Sequence, residues 1–126
     1  MKYNQVLNIG KQKYKVYLTK DWKEIEKGLM FLTKLPDDYG MLLSYDEPDY
    51  YGVWMKNVCI PIDVIWIGED DTILDKKTLQ VNLENPESTI TYIDKKSKYT
   101  LEVNANSFKG EIGDKVEFEY KGVKWK

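Results

Sequence analysis

Val53-Trp54-Met55-Lys56-Asn57-Val58, followed after Cys59-Ile60-Pro61 by Ile62-Asp63-Val64-Ile65-Trp66-Ile67, is the stretch on which the fold turns. Both runs are apolar at odd and even positions alike, the pattern of strands covered on two faces rather than one. They predict two interior strands, with Pro61 marking an edge or bulge between them. Lys56 and Asp63 are the anomalies within them. An ammonium or carboxylate taken from water without a partner is strongly unfavourable. The sequence therefore predicts that Lys56 lies within ion-pair reach of Asp63 or Glu102.

Working outward, residues 3–9 and 14–18 are short β-favouring segments around Gly10 and read as a hairpin. Asp21 followed by Glu24 forms a capping-box pattern, and Trp22, Ile25, Leu29 and Leu32 share one helical face. This predicts one helix that runs through Gly28 and stops at Leu35-Pro36-Asp37-Asp38. Further strands are expected at 40–45, 72–81, 89–93, 99–103, 115–120 and 123–125, with long loops at 46–52 and 82–88. One helix beside about nine short strands gives a mostly β, minor α+β, compact antiparallel barrel- or sandwich-like single domain over residues 1–126. Alternating helix-strand units are missing, which argues against a doubly wound fold.

Composition narrows the chemistry. With 19 basic and 21 acidic residues the net charge is −2, so no nucleic-acid binding driven by global charge is expected. The chain has no histidine and one cysteine, Cys59. That removes histidine-based nucleophilic triads, histidine metal sites and any intrachain disulfide. Cys59, flanked by Val58 and Ile60, reads as a small core residue. The acidic turns at Asp70-Asp71 and Asp46-Glu47-Asp49 lack the spacing of a calcium loop, and no metal or cofactor is expected. No apolar run is long enough to span a membrane, and Met1-Lys2-Tyr3-Asn4-Gln5-Val6 does not read as a signal peptide. The expectation is a cytoplasmic protein, or a virion component if phage-encoded.

Several segments in order carry a resemblance. Gly28-Leu29-Met30, Leu35-Pro36-Asp37-Asp38-Tyr39-Gly40-Met41-Leu42, Trp54-Met55-Lys56-Asn57, Ile60-Pro61-Ile62-Asp63, Leu101-Glu102-Val103-Asn104-Ala105 and Gly113-Asp114-Lys115-Val116 resemble the ordered motifs of the DUF192 family across roughly residues 15–118. Members of that family occur in bacteria, archaea and some phages, many with export signals, and its name records that no biochemical function is established. This chain departs from the family pattern at Ile25 and Leu32, where arginines are usual, and at Val58, Asp70-Asp71 and Asn106.

Three functional classes stay open. The first is a noncatalytic binding or assembly module with its surface around residues 46–63. There Tyr50, Tyr51, Trp54 and Met55 supply apolar area, while Lys56, Asn57, Asp63 and Glu102 supply polar orientation for a protein partner or a small polar or carbohydrate ligand. The second is a small enzyme in which Asp63 or Glu102 acts as general base and Lys56 stabilises developing negative charge. The third is a structural component of a larger particle such as a phage virion.

Overall fold

The computed structural model describes residues 2–82 and 90–120. Strands β1 (Gln5–Ile9), β2 (Gln12–Leu18), β3 (Tyr39–Asp49), β5 (Ile62–Ile67), β6 (Ile73–Leu79), β8 (Ser97–Asn104) and β9 (Glu117–Phe118) form one curled sheet in the order β6-β5-β8-β3-β2-β1-β9. Every pairing is antiparallel except β2 with β3, whose connection carries the single helix α1 (Trp22–Lys27). Two-residue strands β4 (Val53–Trp54) and β7 (Ile90–Thr91) pair in a separate ribbon. The sheet curls into a half-barrel whose ends approach each other. A bridge joins Thr72 to Lys115, and the Val116 amide donates to the Asp71 carbonyl at 2.8 Å.

The expected mostly β, largely antiparallel barrel-like architecture is what the chain adopts. Its sheet is covered on both sides. Leu42, Leu101, Ile65, Ile67 and Val103 pack on the inner face with Leu7, Tyr14 and Val16. Met41, Leu43, Tyr45, Ile62, Val64 and Trp66 pack on the outer face beneath Leu29, Leu35, Val53 and Met55. All six residues of β5 are buried, which is why its sequence shows no alternation.

Three local expectations are corrected. The helix is only six residues long: Asp21 caps it by accepting from the Glu24 amide at 2.9 Å, but Gly28, at φ +49°, ends it rather than lying inside it. The apolar spacing continues past that point because two tight turns, Met30 N–H to Lys27 O and Leu32 N–H to Leu29 O, carry Leu29 into the core. The run at 53–58 is a strand only at Val53–Trp54. Met55 to Val58 is a turn, closed by the Val58 amide on the Met55 carbonyl, with Asn57 in the left-handed region at φ +58°. Cys59 is exposed, not a core residue. The strand expected at 123–125 and all but the first residue of the loop expected at 82–88 lie outside the described residues.

Candidate functional site

A cleft of about 460 Å³ opens on the outer face of the sheet. Leu43 and Tyr45 of β3 and Glu102 of β8 contribute from the sheet, α1 and the turn at Gly28 from one side, and residues 50–54 with Ile90 and Tyr92 from the other. Aromatic rings dominate it: Trp22, Tyr45, Tyr50, Tyr51, Trp54 and Tyr92 all line the space. Tyr45 and Tyr51 stack with centroids 3.5 Å apart and planes 10° from parallel. Gly52 lets the ribbon close over this wall, because a Cβ there would lie 2.4 Å from Ile90 and 2.6 Å from Tyr92.

Two of the ring hydroxyls, those of Tyr45 and Tyr51, are engaged within the protein. The Tyr45 hydroxyl pairs with Thr100 Oγ1 at 2.9 Å, the Tyr51 hydroxyl donates to the Glu47 carbonyl at 2.7 Å, and the Trp66 indole donates to the Tyr51 carbonyl at 3.2 Å. Burial pushes the Tyr45 phenol well above its ordinary value, so it stays un-ionised.

Glu102 stands out chemically. It is 5% exposed, at the middle of β8, opposite Met41 on one neighbour and Val64 on the other. Among the described residues, no hydrogen-bond donor or ion-pair partner reaches its carboxyl. Loss of hydration raises its pKa from 4.5 to about 7. Gly28 makes room for it, since a Cβ at that position would sit 3.2 Å from Glu102 Oε1. Only glycine combines this absence of bulk with an easy positive φ.

Five of the eight residues singled out from sequence line this cleft: Tyr50, Tyr51, Trp54, Lys56 and Glu102. Lys56 places its ammonium 5.2 Å from the Trp54 ring centroid. Met55 is buried in the outer core, and Asn57 is exposed at the neighbouring turn, where its carbonyl accepts from the Phe31 amide at 2.8 Å. Asp63 lies elsewhere. In the pairing of β5 with β8, Asp63 is opposite Val103 and Val64 is opposite Glu102, so the two carboxyl side chains point to opposite faces of the sheet.

Asp63 is held on its own face by the Thr78 hydroxyl at 2.6 Å and the Phe108 amide at 3.1 Å. The ion pairs among the described residues are Lys13–Glu119, Lys76–Glu111 and Lys115–Asp70, so the expected pairing of Lys56 with Asp63 or Glu102 is corrected. Sequence reasoning missed Gly28, Tyr45 and Trp22 as parts of the site. The cost of a glycine in a helical pattern was the one available signal, and it marked the point where the chain turns past a buried acid.

The fold and cleft define a small β half-barrel domain with an aromatic-walled cavity on its outer face. The chain belongs to the DUF192 family (Uncharacterized ACR, COG1430), whose profile matches residues 5–118. It is similar to the crystal structure of a putative transcription regulator from Sinorhizobium meliloti, at 28% identity and a TM-score of 0.81, covering 94% of this chain and 96% of that one. A protein of unknown function from Novosphingobium aromaticivorans is also similar, at 29% identity and a TM-score of 0.76, covering 90% and 83%. No curated protein matches the chain. No helix among the described residues is long and apolar enough to cross a membrane.

Proposed function

We propose that this domain is a noncatalytic binding module that captures a small organic molecule in the cleft between α1 and the β4–β7 ribbon. The observation that carries this reading is the combination, in one cavity of about 460 Å³, of six aromatic side chains with a single buried carboxyl. Small-ligand sites have this make-up: largely apolar walls for area and a few placed polar groups for orientation, within a volume of roughly 300–1,000 Å³. Of the two acids in the acid–base alternative, Asp63 lies on the opposite face of the sheet from the cleft that Glu102 and Lys56 line. The description of the Sinorhizobium relative as a regulator suits a domain whose output follows occupancy of such a cleft.

Amide-resolved NMR with a library of aromatic, amine and sugar fragments tests the reading. Bound fragments should perturb Gly28, Gly52, Trp54 and Glu102 together, and Trp54→Ala should weaken them. Shifts confined to the opposite face, around Asp63 and Phe108, would refute it.

A further inference from the structure

The cleft holds a buried acid, and among the described residues no donor or ion-pair partner reaches its carboxyl. Two ring hydroxyls of its wall are spent within the protein, that of Tyr45 on Thr100 and that of Tyr51 on the Glu47 carbonyl. Aromatic rings, whose faces are electron-rich, line the cavity together with the Glu102 carboxyl, an acceptor when ionised. A buried carboxyl without a partner calls for a donor.

Resting on the binding reading above, we propose that the ligand is an organic cation, a primary ammonium carried on an apolar or aromatic body, with Glu102 as its counter-ion. The ammonium approaches Oε1 beside Gly28, where no side chain intervenes, and the body lies against the Tyr45–Tyr51 stack and Trp54. Aromatic faces attract ammonium groups through their quadrupoles. The rim already does so twice, with Lys56 over Trp54 at 5.2 Å and Lys96 over Tyr50 at 5.8 Å.

The charges around Glu102 favour this choice. Its sheet neighbours Met41, Leu43 and Val64 carry no charge, Tyr45 is un-ionised, and Gly28 offers only backbone. Glu26, Lys27 and Lys56 line the cavity: the first two are exposed and opposite in sign, and Lys56, half-buried, sets its ammonium over the Trp54 ring. Exposed charges are screened by water and salt, whereas a desolvated carboxylate acts in a medium of low dielectric. An anion would add like charge to it, and a neutral polyol would leave it uncompensated. Burial holds part of the Glu102 population protonated at neutral pH, so capture of a cation should expel a proton.

The test compares three probes of one shape: 2-phenylethylammonium, 2-phenylethanol and 3-phenylpropanoate, titrated calorimetrically into the whole chain. The ammonium should bind at least about tenfold more tightly than the alcohol near pH 8, and the carboxylate more weakly than either. Its affinity should fall by up to about tenfold per pH unit below the titration of Glu102, with heats that vary with buffer ionisation. Glu102→Gln should remove the preference for the ammonium while the alcohol still binds.

An alcohol that binds as tightly as the ammonium, or a preference that survives in Glu102→Gln, would overturn the cation assignment and leave the cleft as a binding site. Failure of all three probes to bind the wild type at millimolar concentration would overturn both the assignment and the reading beneath it. A Gly28→Ala chain, read alongside by circular dichroism, should lose ammonium affinity more than alcohol affinity. Equal losses would also count against the assignment.

Discussion

Glu102→Gln should stabilise the ligand-free domain at alkaline pH and leave it nearly unchanged in acid. Glutamine keeps the shape of the side chain and removes its ionisation. In the folded chain the Glu102 pKa is raised from 4.5 to about 7 by desolvation, so the folded state holds its proton more tightly than the unfolded state does. A carboxyl shifted upward contributes its stability fully below the unfolded value, loses it as pH rises from about 4.5 to about 7, and contributes no more change above that. At 1.36 kcal/mol per pKa unit the displacement amounts to about 3 kcal/mol, an upper figure for the effect at pH 8. In a domain of this size that corresponds to roughly 10 °C in Tm.

Urea denaturation of both chains at several pH values between about 4 and 8 reads the difference, in which the titrations of all other groups largely cancel. Any fixed cost of burying the glutamine amide moves the whole difference curve without changing its slope. A difference flat across that window, or one growing toward acid, would refute the claim that an unpaired carboxyl is buried there.

Leu29 is 1% exposed beneath the turn that follows α1, so Leu29→Ala should cost about 2–5 kcal/mol in chemical denaturation; a loss well below 1 kcal/mol would mean the site collapses or is open. Tyr50 and Tyr51 should behave differently. Tyr50 is 52% exposed, and its alanine variant should keep the wild-type Tm while weakening ligand capture. Tyr51→Ala removes a stacked ring and a hydroxyl bonded to Glu47 and should cost about 2 kcal/mol, which a scan of both variants would check. Asp63→Ala leaves the Thr78 hydroxyl and the Phe108 amide without their acceptor and should cost roughly 1–3 kcal/mol for each. A double-mutant cycle should show coupling of Asp63 with Thr78 and none with Lys56, the reverse of what charge placement in the sequence suggests.

The sequence was readable where burial was uniform or turn chemistry was local. Residues 62–67 could be recognised because both faces of β5 are covered, and the hairpin at Gly10 because its turn is short. Asp21 marked the start of α1 through its own hydrogen bond to the Glu24 amide. The end of α1 was hidden because the turns after Gly28 keep apolar residues at helix-like spacing. The run at 53–58 was misread for a related reason: a buried turn and a buried strand are equally apolar, and only the positive φ of Asn57 separates them.

At the candidate site, aromatic content around Tyr50, Tyr51 and Trp54 was legible, as was Glu102 as a candidate acid. Which face each acid occupies was not, since that depends on the register of β5 against β8, a pairing between distant segments. The register of β8 against β3, also a pairing of distant segments, brings Glu102 to the face that carries Tyr45 and meets Gly28, neither of which looked functional in its own neighbourhood.

Strand β8 lies between β5 and β3, which do not pair with each other. The segments before it in the chain, β1-β2-β3 and β5-β6, do not pair with each other in the sheet, and each has a hydrogen-bonding edge that the same eight residues fill. Those edges are adhesive until filled, so the nascent chain is most exposed to misassembly just before Ser97–Asn104 leaves the ribosome. The strand that then locks the halves together also carries Glu102. The domain therefore completes the floor of its cleft in the same event that completes its sheet.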